Sequence, residues 1–288
     1  MIEPISIKIG EIVICISLEG FEDKLNLIEF YNQFLASHEA ADITLTVKYE
    51  NLPDLTFWEE VFDSGGIWRL WRRSEDYALS FDTPVLQPNR FQVVLLDPSL
   101  KNGTIFIRKE LSGKKGITLT QNLFEFLVVN YLSNHTGVML HACAVKDGDS
   151  GRLFSGVSGA GKSTISLLWA KQDGVLVLSD DRSILRKQDS RFWIYGTPWH
   201  GTAGFGSPQV VPLDQIYILR HASQNQVKLL TPTEAATSLF VRSFPTFWNQ
   251  TGMGYTLDLL AELSQSVPCY ELSFRPELEV VDFIRCLS

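Results

Sequence analysis

The run Gly156-Val157-Ser158-Gly159-Ala160-Gly161-Lys162-Ser163-Thr164 constrains this chain more than any other feature. It satisfies G-x-x-x-x-G-K-[ST], and it lies between a predicted strand over 152–155 and a predicted helix over 163–172. In that context such a run cradles phosphate. Glycines at 156, 159 and 161 let successive N–H groups turn inward, which makes an anion nest at the positive end of the helix. Backbone amides of Gly156, Ser158, Gly159, Ala160, Gly161 and Thr164 would then hold the phosphates of ATP. Lys162 would neutralise β- and γ-phosphate oxygens, and Ser163 would lend an oxygen to Mg²⁺. A chance glycine-rich turn with a surface lysine is the competing reading, and the flanking strand and helix disfavour it.

Eighteen residues beyond the lysine an apolar run over 175–178 ends in Ser179-Asp180-Asp181. A buried strand delivers its last side chains to the sheet edge that carries the phosphate loop. There one carboxylate can hold Mg²⁺ and its neighbour can act as base. A helix N-cap or a turn pair is the alternative, and it stands open.

The rest of the chain reads as two domains. Over 1–116, short β-prone runs (12–16, 43–47, 66–70, 77–81, 91–95, 104–107) alternate with turn signals, around one helix candidate at 24–37. From 117 to 288 helices and strands alternate. Helices are expected at 121–133, 163–172, 233–242, 255–263 and 276–286, and strands at 138–145, 152–155, 175–178, 183–185, 192–195, 216–219 and 269–272. The expected class is α/β with α+β character: a smaller β-rich N-terminal module before a nucleotide-binding domain with a mixed sheet. A net charge of −8 argues against a general binder of nucleic acid or anionic membrane. Trp68-Arg69-Leu70-Trp71-Arg72-Arg73 interleaves aromatic and basic residues, but Glu75 and Asp76 follow at once, so a strand with snorkelling arginines is the better reading. Lys109, Lys114 and Lys115 read as a solvated turn. No run approaches the roughly 20 apolar residues of a membrane span, and Glu3 follows the initial Met without a basic segment, so a cytoplasmic protein is expected. The four cysteines lack metal or disulfide spacing and read as small apolar residues.

In order, Leu140-His141-Ala142, the phosphate loop and Ser179-Asp180-Asp181-Arg182 resemble the HPr kinase/phosphorylase family, whose catalytic domain is similar to phosphoenolpyruvate carboxykinase. The trio covers roughly 117–215. The resemblance implies that Asp180 is the base toward a seryl hydroxyl, that Asp181 assists with the metal, and that His141 lines the site beside Lys162. A core histidine on a strand is an equal reading of His141. The resemblance also implies a homo-oligomer and a protein, peptide or small-molecule acceptor bearing a serine hydroxyl, selected by the N-terminal module. It does not extend to the family's Glu-Ile-Arg-Gly signature, where Ile194-Tyr195-Gly196-Thr197-Pro198-Trp199-His200-Gly201-Thr202-Ala203-Gly204 stands instead. The chain looks more like the divergent kinase-related proteins encoded beside bacterial peptide-maturation genes.

Residues 196–207 hold four glycines and suggest a flexible substrate or nucleotide loop, with His200 offering a hydrogen bond and Trp199 a stacking face; a structural, turn-rich connection is an equal reading. Arg182, Arg220 and Arg242 are candidates for bridging the transferring phosphoryl group. Two further functions compete with a kinase: a nucleotide-binding scaffold that transfers nothing, and a carboxykinase-like enzyme acting on a small acid.

Overall fold

The computed structural model describes residues 3–19, 29–37, 39–111, 121–134 and 137–287. The chain is α/β and divides into two compact units, Met1–Val128 and Val129–Ser288. The boundary expected near residue 117 lies outside the described residues, as do Lys114 and Lys115.

In the first unit β1 (Ile5–Ile9), β2 (Ile12–Leu18), β3 (Leu35–Ala36), β4 (Ile43–Glu50), β5 (Glu59–Asp63), β6 (Trp68–Arg73), β7 (Asp76–Asp82), β8 (Arg90–Leu96) and β9 (Asn102–Arg108) build one sheet. Its order is β3-β1-β2-β4-β9-β8-β7-β6-β5. The pairs β2–β4 and β4–β9 are parallel. Alternation explains the burial: Ile43, Leu45 and Val47 are buried, and the registers set Ile14, Ile16 and Ile105 beside them. Each such side chain contributes about 2 kcal/mol by leaving water. On the other face Leu55 and Trp58 cover Ala78 and Val93. The arginines of β6 have local partners: Arg69 pairs with Asp63 and Asp82, Arg72 with Glu59, and Arg73 lies over the Trp58 ring.

The helix expected at 24–37 is not what its described part forms. Glu29–Phe34 is a 3₁₀ helix, and Leu35–Ala36 leaves it to pair with Ser6 and Ile7 of β1. Backbone pairing at the sheet edge ends the helical turns there. The strand β5 was not legible, because its residues are half-buried or exposed.

The second unit contains β10 (Gly137–Asp147), β11 (Ser150–Ser155), α2 (Lys162–Trp169), β12 (Val175–Ser179), β13 (Arg182–Gln188), β14 (Arg191–Tyr195), β15 (Val210–His221), β16 (Gln226–Leu229), α3 (Pro232–Phe240), α4 (Gln250–Ser266), β17 (Cys269–Phe274) and α5 (Glu279–Arg285). The helix α1 (Gln121–Leu132) spans the division between the units. Of the strands, β16 escapes sequence reading because it is a short edge strand with three exposed residues in four. β10 and β15 change partners midway. β10 pairs with β13 through His141 and with β11 from Ala142 onward, while β15 pairs with β14 over its first three residues and then with β11 and β17.

Helices cover both faces of this sheet. Leu153, Ile216 and Ile218 pack in one apolar cluster with Ala235 and Leu239 of α3 and Leu259, Leu260 and Leu263 of α4. Their chain neighbours Phe154, Tyr217 and Leu219 pack in another with Ile165, Leu168 and Trp169 of α2 and Val280, Val281 and Ile284 of α5. Buried on both faces, these strands read as continuous apolar runs. Because β11, β15 and β17 run parallel, and β12 and β11 are both antiparallel to β10, all four strands end at one edge. No helix among the described residues is long and apolar enough to cross a membrane.

Candidate functional site

The phosphate-loop segment leaves β11 at that edge. A Cβ on Gly156 would stand 2.7 Å from the Ala160 Cβ, so the first turn of the loop admits only glycine. Gly159 (φ 77°) and Gly161 (φ 99°) take left-handed backbone conformations. Gly161 is the residue before α2 and has no side chain to cap it, which leaves the first-turn amides without a capping side chain. Lys162 is 8% exposed, and its Nζ donates to the carbonyls of Gly156 (2.9 Å) and Val157 (3.3 Å). Ser158 is exposed, Ala160 is buried, and Thr164 is half-buried in the first turn of α2.

Sequence reading missed the platform beneath this loop. His221 and Phe274, the last residues of β15 and β17, are register partners whose rings stack with centroids 6.0 Å apart. The His221 Nε2 donates to the Gly159 carbonyl at 2.6 Å. A Cβ on Gly161 would meet Phe274 Cζ at 2.8 Å. Nothing local marks either residue; only the parallel pairing of two distant strands brings them here.

The two aspartates after β12 part company. Ser179 closes the turn, its Oγ accepting from the amides of Asp181 (3.3 Å) and Arg182 (3.1 Å). Asp180 is 1% exposed. Its Oδ1 accepts from the amides of Gly201 (2.9 Å) and Phe205 (3.2 Å), and its Oδ2 from that of Ala203 (2.9 Å). An acceptor hydroxyl does not reach this carboxylate as it stands. Asp181 is the accessible one: its Oδ1 lies 3.1 Å from His141 Nδ1, and Oδ2 pairs with Arg182. Burial works to raise the Asp181 carboxyl, but the His141 hydrogen bond and the charges of Arg182, His141 and Lys162 outweigh it and hold the group below the ordinary range.

His141 thus faces Asp181 with its side chain, while its amide donates to the Arg242 carbonyl at 2.7 Å. That bond places the Arg242 backbone beside His141. One guanidinium nitrogen of Arg242 donates to the Ser238 carbonyl, its Nε is buried without a partner, and among the described residues it has no ion pair. Burial pushes its pKa down. Burial likewise lowers the Lys162 ammonium, opposed by Asp181 and reinforced by Arg242. Two partly desolvated cations against one open carboxylate leave positive charge that an anion would compensate.

Residues 196–207 are tethered rather than free. The three bonds to Asp180 hold the middle, Gly206 bridges Ser179, and Thr202 Oγ1 lies 3.1 Å from Ser163 Oγ. The expected stacking face on Trp199 is not available: the ring is 1% exposed, packed into the fold. His200 Nδ1 bonds within the loop to the Gly201 carbonyl at 2.9 Å. Arg220 is exposed and paired with Glu271, whereas Arg182 is bound to Asp181 and lies over the Phe244 ring. Cys143 and Cys269 are buried, Cys15 is half-buried, and Cys286 is exposed rather than part of a core.

The residues fit nucleotide phosphates, since the buried Nε of Arg242 has no partner and the first turn of α2 has no side-chain cap. They also fit a hard cation held largely by those phosphates, with hydroxyls at Ser163 and Thr202. No cluster of three or more His, Cys, Asp or Glu side chains suited to a metal occurs among the described residues.

No protein-family model matches the chain, and no curated protein does. Among solved structures it is similar to the Hpr(Ser) kinase/phosphatase from Coxiella burnetii, with a TM-score of 0.30 and 12% identity over 52% of this chain and 87% of that one. At that level of superposition the likeness bears on neither site nor activity, and both are argued from the chain's own residues.

Proposed function

We propose that the chain is an ATP- and Mg²⁺-dependent phosphotransferase that moves the γ-phosphoryl group to a serine hydroxyl on a protein, peptide or small-molecule acceptor. The observation that carries this reading is the convergence at one sheet edge of the phosphate loop, Arg242, whose guanidinium has no ion pair among the described residues, and the Asp181–His141 pair. The amides at the start of α2 and Lys162 hold the phosphate chain. Arg242 spreads the charge that gathers on the transferring group, a role its planar fork suits. A bound Mg²⁺ would draw charge from the β- and γ-phosphate oxygens.

As the seryl oxygen bonds to phosphorus, the bond from phosphorus to the β-bridging oxygen breaks, ADP departs with that electron pair, and Asp181 takes the seryl proton. A carboxylate held below its ordinary range is a weak base, and a weak base suffices where the transition state is loose and the proton leaves late. His141 keeps the Asp181 carboxylate oriented. The base role expected of Asp180 passes to Asp181 in this reading, because Asp180 is enclosed by backbone amides. The β-rich unit selects the acceptor.

The test is transfer from γ-labelled ATP to candidate acceptors, measured beside nucleotide binding. Lys162→Ala should lose binding. Asp181→Asn should keep binding and lose about 10²- to 10⁴-fold in transfer, the usual contribution of a positioned base. Full transfer by Asp181→Asn refutes the assignment of the base, and nucleotide binding without transfer to any acceptor by the unaltered protein would replace the kinase with a nucleotide-gated scaffold.

A further inference from the structure

Thr202 is exposed, so its hydroxyl is not part of a packed interior, yet its position is tightly determined. The amides on either side of it, those of Gly201 and Ala203, both bond to the buried Asp180 carboxylate at 2.9 Å. A Cβ on Gly201 would stand 2.9 Å from Asp180 Oδ2, so a larger residue there would push on the carboxylate that holds the loop. A buried carboxylate with three backbone donors is an expensive way to hold a loop, and here the residue it projects is a hydroxyl. That hydroxyl lies 3.1 Å from the Ser163 Oγ, thirty-nine residues away in the chain.

We propose that Thr202 supplies a second hydroxyl ligand to the cation site at Ser163, and that Asp180 is the positioning residue that carries it there. The inference rests on the phosphotransferase reading above. The separation supports it: Mg²⁺ binds oxygen at about 2.0–2.1 Å in near-octahedral geometry, so two adjacent ligands stand about 2.8–3.0 Å apart. The observed 3.1 Å is close to that edge. With the cation bound, Ser163 and Thr202 would exchange their mutual hydrogen bond for two bonds to the metal, and neither residue has to move far.

The test is titration of the full chain with a non-hydrolysable ATP analogue, with Mg²⁺ and with excess chelator, for the unaltered protein, Thr202→Val and Thr202→Ser. Thr202→Val keeps the shape and removes the hydroxyl. It should weaken binding of the Mg²⁺–nucleotide about tenfold, raise the Mg²⁺ midpoint at fixed nucleotide by a similar factor, and leave metal-free binding within twofold. Thr202→Ser should restore the unaltered behaviour. Equal loss in both conditions, or no loss in either, overturns the proposal while the phosphotransferase reading stands. If the unaltered protein binds no nucleotide in either condition, both fall together. Because the side chain is exposed, both variants should keep the denaturation midpoint of the unaltered protein; a Thr202→Val variant that unfolds earlier in the same degree as it loses nucleotide would assign the hydroxyl a structural role and overturn the proposal.

Discussion

Replacing Asp180 by Asn tests whether this carboxylate holds residues 196–207 in place. The change keeps the shape and alters only charge and donor pattern. In the better orientation the Asn oxygen takes the place of Oδ1 and keeps the bonds from Gly201 and Phe205, while the NH₂ faces the Ala203 amide, donor against donor. Leaving that amide unpaired costs about 1–3 kcal/mol, and turning two charge-assisted bonds into neutral ones costs about 1 kcal/mol each. Relief of the buried charge returns part of the loss. The net is about 2 kcal/mol, which multiplies the open population of the loop by about 30. Hydrogen exchange read by mass spectrometry should therefore accelerate by about that factor in peptides covering 199–206. Asp181→Asn should leave those peptides unchanged, because none of the three amides bonds to Asp181. Exchange within twofold of the unaltered protein in Asp180→Asn would refute the anchoring role.

Two further predictions concern stability. Gly159→Ala meets no atom within 4 Å and pays only for its φ of 77°, about 1 kcal/mol, whereas Gly161→Ala adds a contact at 2.8 Å with Phe274 and should cost about 1–3 kcal/mol more in urea denaturation. Combining Gly161→Ala with Phe274→Leu should cost less than the sum of the two, and strict additivity would place the strain elsewhere. Asp147 is bonded to Arg285, and that bond, opposed by burial and supported by the charges of Arg285 and Arg152, holds its carboxyl below the ordinary range. A lowered folded-state value means stability that is present above the unfolded value and lost as pH falls through the folded one. The stability gap between the unaltered protein and Asp147→Asn should be about 1–2 kcal/mol at pH 7, allowing for the exposure of Arg285, and should close as the pH falls below about 4. A gap of constant size across that range would show that Asp147 acts through packing instead.

What could be read in advance follows the range of the interactions. The phosphate-loop motif is legible because its chemistry lies within nine consecutive residues, and the helices of the second unit are legible because each presents an apolar face of its own. The helix expected over 24–37 fails in its described part because pairing with β1 competes for Leu35 and Ala36. The preference of the proposed mechanism for Arg242 over Arg182 and Arg220 was not legible at all. It depends on Arg182 and Arg220 having carboxylate partners and on the His141 amide binding the Arg242 carbonyl, and both depend on how distant strands meet.

The division of labour between Asp180 and Asp181 shows the same limit most plainly. Adjacent in the chain, they are chemically identical and equally placed at the end of an apolar strand. Local sequence determines that a glycine-rich loop with its lysine follows one apolar strand and two carboxylates follow another; that both strands end at one sheet edge comes from their common antiparallel pairing with β10. Which carboxylate is enclosed by the amides of Gly201, Ala203 and Phe205 and which faces His141, and that Thr202 comes to rest beside Ser163, is decided only in the folded chain. Burial and hydrogen-bond partners are non-local quantities, and they set what each of these side chains can do.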